Sequence, residues 1–565
     1  MAVSLLLSFL CLFLAQAHGF FMTPPGPGRI RVAIAPGPNG GNATFEQYID
    51  HKNKSLGTFQ QRYWWNTTFW KGPGSPVFFF TPGEAPAAEY TGYLTNRTMV
   101  GQYAQAMGGA VILFEHRYWG ESSPYTVLDT KNLTYLNVEN SVLDLAHFTK
   151  NVKLPFDKSG RSNSDRAPWV MIGGSYSGAL AAWTNKLAPD AFWAYHSSSG
   201  PVQAVFDFWS YFIPIHRGMP KNCSADLERV ADHIDKTIAE NNKTEIHNLK
   251  DLFGLADLEY HDDFAIAIGS VVNSWQGLQQ SSNYSGFFKM CDTIEGVRPV
   301  DMGDNNSTTN GTYRLARRFT AKKSVPDIGV GLHEALPNLA AWYKYEYLPD
   351  SCSIYGYKEW KDPLSLGCFD TYNETSIGFT DMSLNNTINR QWYWMLCNEP
   401  FAYWQVSSPS NHPTFIPRVV KPAYWQRQCD LYFPPKDGAT YGSQDGKTTD
   451  MLNAFTNGWD LTNTTRLLWS NGEFDPWRSA SVSSELRPGG PMESTPEAPV
   501  FVLPGGIHCH DLQWRNGEYS PRIRKIQVEM LDIMKNWVDS FYSSGRGKGP
   551  DVSYLAKETE KDGNA

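Results

Sequence analysis

Three short clusters in this chain carry residue types that together could break an ester or amide bond. Gly173-Gly174-Ser175-Tyr176-Ser177-Gly178 holds two serines two positions apart. Asn471-Gly472-Glu473-Phe474-Asp475-Pro476-Trp477 holds two carboxylates, and Gly505-Gly506-Ile507-His508-Cys509-His510-Asp511 holds two histidines. A serine hydroxyl is a poor nucleophile until a base removes its proton, and the base needs a third group to orient it. The chain offers each role in duplicate, so the first question is which member of each pair is placed to serve.

The order serine, acid, histidine is that of an α/β-hydrolase, where the three groups follow strands at the carboxyl edge of one sheet. Its nucleophile sits on a tight strand-to-helix turn that needs small residues two before and two after the serine. Ser175 has Gly173 and Ser177 at those positions. Ser177 has Ser175 and Ala179, and already lies where the helix should begin. Neither matches G-x-S-x-G literally, and Ser175 fits better, with the Tyr176 amide following it as an oxyanion donor. Pro476 disfavours helix just before it and pins Asp475 at a strand-end turn, which makes Asp475 the acid. After Asp475 only His508 and His510 remain, so the base is one of these two. His116 precedes Ser175 and breaks the order. The sequence His508-Cys509-His510 could suggest metal ligation, but no H-E-x-x-H or C-x-x-C pattern accompanies it, and neither a metal nor a cofactor is expected.

These clusters need strands to position them. Near-continuous apolar runs end just before them: Trp169 to Ile172, Arg466 to Trp469, and Pro499 to Leu503. Val77 to Phe80 and Ala110 to Phe114 are of the same kind. Such runs mark strands buried on both faces of a parallel sheet. Helical spacing appears between them, at Val138, Val142, Leu145 and Phe148, and at Ile523, Ile526, Met530, Ile533 and Trp537. Strands alternating with helices predict an α/β fold. Between residues 206 and 441 the pattern turns helical, over 225–240 and 331–345, and this region holds most of the cysteines. It reads as a mainly helical cap inserted between nucleophile and acid. The catalytic domain then comprises 18–205 and 442–545, with a polar loop at Asp301 to Thr312 inside the cap and a polar tail over 546–565.

A chain of 565 residues is too long for one simple core. Its net charge of -8, with no basic block, excludes a nucleic-acid binder as the natural reading. Residues 1–17 read as a secretory signal, for export or for a vacuole or lysosome reached by the secretory pathway: Leu5 to Leu14 are apolar but too short to span a bilayer, and Ala15-Gln16-Ala17 is a cleavage site. No other run is long enough to cross a membrane, and no membrane partner is expected. About fourteen N-x-S/T sequons fit secretion, among them Asn42, Asn66, Asn96, Asn132, Asn242, Asn373 and Asn463. Cys223, Cys291, Cys352, Cys368, Cys397, Cys429 and Cys509 follow the signal. An oxidising compartment predicts disulfides, mostly in the cap, and an odd number leaves a free thiol, expected at Cys509.

A wider motif set carries a resemblance. Phe45-Glu46-Gln47, Asp50-His51, Phe59-Gln60-Gln61-Arg62-Tyr63, Glu115-His116-Arg117-Tyr118-Trp119-Gly120-Glu121-Ser122, GGSYSGALAAW, NGEFDPW and GGIHCHDL together resemble the prolyl carboxypeptidase and dipeptidyl peptidase II family of serine peptidases. The likeness spans about Phe45 to Tyr542 and is greatest to the fungal secreted acid prolyl endoproteases, which share TPGE and the RQWYWMLCNEP segment. It implies cleavage after proline by acyl transfer at acid pH, with the nucleophile on Ser175, the acid on Asp475 and the base on His508. Where relatives have GAHHLDL this chain has GIHCHDL, so His508 aligns and His510 does not. At Ser177 animal members have glycine. Glu84, in Thr81-Pro82-Gly83-Glu84, falls where the family has Asn-Glu, and Gly83 or a neighbour is expected to give the second oxyanion amide. A proline ring asks for aromatic walls. Trp477 is close to the acid in sequence, and Trp392 and Trp394 resemble pocket positions of the family.

The expected partners are proline-containing peptides or proteins; the sequence does not give an oligomeric state. Rival readings are a carboxylesterase or lipase on the same fold, an exopeptidase in place of an endopeptidase, and a binding module that has lost catalysis.

Overall fold

The computed structural model describes residues 39–300 and 325–546. The signal at 1–17, the polar loop from Asp301 and the tail from 547 lie outside the described residues. Ten strands are described: β1 (Gly40–Tyr48), β2 (Thr58–Asn66), β3 (Val77–Thr81), β4 (Ala110–Phe114), β5 (Trp169–Gly174), β6 (Ala194–Ser198), β7 (Val205–Asp207), β8 (Ala402–Trp404), β9 (Leu467–Gly472) and β10 (Val500–Leu503).

Eight of them form one sheet in the order β1-β2-β4-β3-β5-β6-β9-β10. β1 pairs antiparallel with β2, and β2 antiparallel with β4. From β4 to β10 every pairing is parallel. β3, β4, β5 and β9 are buried at every residue, which is why they read as continuous apolar runs, and β6 is equally buried. Two apolar clusters form, one on each face. One face is covered by helices Val138–Asn151 and Tyr176–Leu187, the other by Met99–Met107 and the closing helix Pro521–Ser543. This is an α/β-hydrolase core, as the strand-end clusters require.

β1, β2 and β6 were not legible as apolar runs. β1 and β2 form an antiparallel ribbon at the sheet edge with one face partly exposed. β6, Ala-Tyr-His-Ser-Ser, is central and wholly buried but polar at three of its five positions.

Between β6 and β9 the chain builds the cap. Its longest described helix is Lys221–Ala239, followed among others by Leu332–Trp342, Arg390–Asn398 and Pro422–Tyr432. The short parallel pair β7-β8 joins its two ends. The disulfides are Cys223–Cys291, Cys352–Cys368 and Cys397–Cys429, all within the cap, and Cys509 is free and buried. Of the seven sequon asparagines named above, Asn42, Asn96, Asn242, Asn373 and Asn463 are exposed, and Asn66 and Asn132 are half-buried. Among the described residues no helix is long and apolar enough to cross a membrane.

Candidate active site

β5 ends in Gly173-Gly174, and the chain turns at Ser175 straight into the helix Tyr176–Leu187. Ser175 has φ 64° and ψ -130°, a strained backbone for a residue with a side chain. The turn is possible because Gly173 lacks a Cβ: one placed there would sit 1.9 Å from the Ser177 carbonyl oxygen. On the other side it is Gly178, three residues after Ser175, whose missing Cβ lets the helix approach the Ser198 carbonyl, at 2.5 Å.

Ser177 is more than a small residue. Its Oγ donates to the Gly174 carbonyl at 2.8 Å and accepts the Gly174 amide at 3.0 Å, which ties the turn together. That hydroxyl is fully engaged. Ser175 Oγ is equally buried and has no hydrogen-bond partner. The two serines are therefore distinguished by what they bond, a difference their spacing in the sequence did not show.

Asp475 follows β9, with its side chain accepting the Trp477 amide at 3.0 Å. His508 Nδ1 donates to Asp475 Oδ1 at 2.9 Å. Nε2 of the neutral ring is then the acceptor, and it is buried without a partner. Burial opposes protonation of His508, but the Cys509 sulfur and the Asp475 carboxylate outweigh it, and its proton affinity lies well above the ordinary histidine value. The turn at Ser175 and the loop of His508 are fastened to the same strand end: the Ser175 amide donates to Ser198 O at 2.9 Å, and the Cys509 amide to Ser199 Oγ at 2.9 Å.

His510 is placed quite differently. The Ile507 amide donates to its Nδ1 at 3.0 Å, which leaves Nε2 protonated to donate to Leu278 O at 2.7 Å. Both nitrogens are occupied, and burial pushes its pKa down to about 4. It is a neutral strut.

The loop after β3 lies against the elbow. A Cβ on Gly83 (φ 74°) would meet Tyr176 Cδ1 at 3.0 Å and Ser177 Cβ at 3.3 Å, so this position suits glycine in both space and backbone. The Gly83 amide points back to Thr81 Oγ1 at 3.3 Å, while the Tyr176 amide opens a helix and has no intrahelical acceptor. Glu84 is only 1% exposed, and neither of its carboxyl oxygens has a hydrogen-bond partner. Burial, only partly offset by its own backbone amide and by His508, holds its proton affinity well above the usual carboxylate range. Its carbonyl accepts Asn389 Nδ2 at 3.1 Å, at the start of the helix Arg390–Asn398.

Trp392 and Trp394 sit on that helix, two positions apart and so on opposite faces. Trp392 packs on the Tyr176 ring at 5.7 Å, with its indole nitrogen unpartnered. Trp394 faces away, donating to Leu136 O at 2.9 Å against Phe433. A chain of rings leads from the elbow to the acid turn: Tyr176–Phe401 at 5.8 Å, Phe401–Tyr403 at 6.0 Å and Tyr403–Trp477 at 5.1 Å. Phe401 and Tyr403 come from the cap and lacked any sequence signal beyond their aromatic type.

His116, set aside on chain order, lies close by. Its Nδ1 donates to Arg117 O at 2.9 Å and its Nε2 accepts Tyr176 OH at 3.1 Å, so it fixes the ring beside Ser175. Among the described residues no group of three His, Cys, Asp or Glu is placed to hold a metal ion.

The chain matches the family described as serine carboxypeptidase S28 over residues 47–323 and 354–529. It is 41% identical to the serine protease vicPa of Bipolaris victoriae, over 89% of each chain. It is 29% identical to a "Probable extracellular serine carboxypeptidase" of Arthroderma benhamiae, over 88% of this chain and 67% of that one. To the human thymus-specific serine protease it is 23% identical, over 87% of this chain and 86% of that one. Among solved structures, a proline iminopeptidase of Mycobacterium smegmatis aligns over 88% of this chain and 99% of that one, at 10% identity and a TM-score of 0.32. That score is too low to carry an argument, and the fold rests on the strand order above.

Proposed function

The chain belongs to the serine carboxypeptidase S28 family and is a serine peptidase, and from that premise we propose that it is secreted and hydrolyses peptide bonds on the carboxyl side of proline. The observation that supports this best is the buried set Ser175, His508 and Asp475. His508 is bonded to Asp475, while Ser175 Oγ and His508 Nε2 both lack partners. In the reaction Ser175 Oγ attacks the carbonyl carbon and His508 Nε2 takes its proton. Asp475 holds the ring in the required tautomer and stabilises the imidazolium. His508 then returns the proton to the leaving amine, and water repeats the sequence to release the acyl group.

The Tyr176 amide, with the Gly83–Glu84 turn, would hold the oxyanion. Glu84 strengthens that reading: a carboxyl kept neutral by burial is a hydrogen-bond donor, and it lies within the electrostatic reach of His508. Trp392, Tyr176, Phe401, Tyr403 and Trp477 supply aromatic walls that suit a proline ring. Disulfides confined to the cap and exposed sequons favour secretion.

The groups of the site also bear on the acid working range that the resemblance implies. His508 must be neutral to accept a proton, and its raised affinity moves the acid limb of activity upward. The free enzyme is therefore expected to lose kcat/KM on an acid limb that lies above the ordinary histidine value, against the acid working range that the resemblance implies. A kcat/KM profile flat down to about pH 4 would show that His508 does not set the limb.

Two measurements test the proposal. A fluorophosphonate probe should modify Ser175 and no other serine. Digesting a long proline-containing peptide, with masses read across about pH 3 to 8, should give fragments ending in proline. Rapid cleavage of p-nitrophenyl esters with no cut after proline would point to an esterase, and loss of terminal residues alone to an exopeptidase.

A further inference from the structure

Asp475 and His508 stand on separate loops after neighbouring strands, and their single hydrogen bond depends on how the loops are set against each other. The loops touch directly: the Phe474 amide donates to Gly506 O at 2.9 Å, and the Gly505 amide to Glu473 Oε2 at 2.7 Å. A third piece of chain holds both from outside the core. It is the cap segment Trp275–Gln280, which closes the 3-10 helix Ser270–Gly277 and continues for three residues.

Four of its six residues bond directly to the catalytic loops, and a fifth reaches them through Asn516. Trp275 Nε1 donates to Phe474 O at 2.9 Å, next to the acid. Gln276 Oε1 accepts Trp477 Nε1 at 2.8 Å, two residues beyond it, and also Tyr211 OH at 2.9 Å. On the base side, Leu278 O accepts His510 Nε2 at 2.7 Å. Gln279 Oε1 accepts Asn516 Nδ2 at 2.9 Å, whose other bond is to His510 O at 2.9 Å. Gln280 Nε2 donates to Gly505 O at 2.8 Å. The contacts run in chain order, acid loop first and base loop second, so the segment spans the seam between them. Its tryptophan is wedged in place: a Cβ on Gly218 would fall 2.6 Å from Phe474 and 2.7 Å from Trp275.

Resting on the triad reading above, we propose that Trp275–Gln280 is a clamp whose side chains are positioning residues for the Asp475–His508 pair, so that the cap takes part in catalysis by setting the triad as well as by covering it. A site must be held to within about half an ångström of its working geometry. The bonds of the clamp converge on the immediate neighbours of acid and base, and His510 is the pin on the base side. The second histidine of GIHCHDL thereby acquires a role, because its ring carries the cap's hold to the loop that His508 stands on.

The test uses the full-length enzyme. Trp275→Phe keeps an aromatic ring at the position that packs on Phe287 at 5.2 Å and removes the N–H with the rest of the pyrrole ring. Gln280→Met keeps length and removes the amide. Active sites are counted by fluorophosphonate titration, so that kcat refers to competent molecules only. Each variant is expected to lose about 10- to 100-fold in kcat, with KM within about threefold of the parent, as for a slight misplacement of catalytic groups. The acid limb of kcat/KM should move to lower pH, because a looser Asp475 contact lowers the proton affinity of His508. The double variant should lose less than the product of the two single losses, because both act on one geometry. Parental kcat per titrated site in both single variants, or losses that multiply fully with an unmoved pH profile, would overturn the clamp. Ser175→Ala runs beside them: if it retains turnover the triad reading fails and the clamp with it, whereas if it is inactive and Trp275→Phe is not, the clamp alone fails.

Discussion

Two Ser–His–Asp constellations lie within this core, and they share one loop. The first is Ser175, His508 and Asp475. The second lies at the ends of β6 and β9 and consists of Ser198, Ser470, His196 and Asp511. Asp511 accepts Ser198 Oγ at 2.7 Å and Ser470 Oγ at 2.9 Å, with His196 Nε2 at 3.1 Å, and Tyr103 OH meets His196 Nδ1 at 3.2 Å. Burial opposes ionisation of Asp511, yet the bonds from His196, Ser198 and Ser470 hold its carboxyl below the usual range. In the first set, Ser175 Oγ, His508 Nε2 and Asp475 Oδ2 are all without partners. The residue types are the same. What differs is hydrogen-bonding capacity left unmet: the saturated set is an anchor for the loop of His508, and the unsaturated one keeps polar atoms unbonded.

Each half of this contrast can be broken by substitution. The largest effect is expected from Asp475→Asn, which should lower kcat about 10⁴-fold, as when the base is left in the wrong tautomer, and should scarcely move the melting temperature. If turnover survives it, the first set is not the catalytic one. Asp511→Asn should do the reverse. Breaking a buried charged network costs about 3–5 kcal/mol, so the protein should melt earlier while each titrated site keeps turnover to within about tenfold. A catalytic loss as deep as that of Asp475→Asn would erase the distinction.

The two histidines of the base loop sharpen the contrast through pH. The pKa of His510 falls from an ordinary 6.5 to about 4 on folding, so the folded state favours the neutral ring. Its contribution is fully present above 6.5 and is lost as pH falls through about 4. The stability advantage of the parent over His510→Gln should therefore shrink across that window, by on the order of 3 kcal/mol. An advantage independent of pH would mean that His510 is not held neutral. The smallest effect concerns the elbow serines. Ser177→Ala gives up both bonds to Gly174 and should cost about 1–3 kcal/mol of stability, with turnover kept to within about tenfold. Abolished turnover in Ser177→Ala with activity retained in Ser175→Ala would reverse the assignment.

Much of this was legible in the chain itself. Runs such as Trp169 to Ile172 announce buried parallel strands because each is covered on both faces, and a turn of glycines after such a run can only face the sheet edge. The order of GGSYSG, NGEFDPW and GGIHCHDL then points to the roles of serine, acid and base proposed above, and the odd number of cysteines after residue 17 foretells the free thiol at Cys509. β6 escaped because its polar residues are buried, with His196 and Ser198 bonded to partners 274 and 313 positions away, Ser470 and Asp511, and no local pattern encodes a partner at that distance. Tertiary structure added a ground that order and spacing did not hold. Ser177 and His510, already less favoured by the elbow pattern and the resemblance, have their polar atoms occupied by Gly174, Ile507 and Leu278. Trp392 and Trp394 are alike in sequence and are set on opposite faces by the helix that carries both. Residue type and order determine which reactions a chain could perform; which atoms remain free to perform them depends on contacts made across the fold, because a polar atom is reactive only where no neighbour has saturated it.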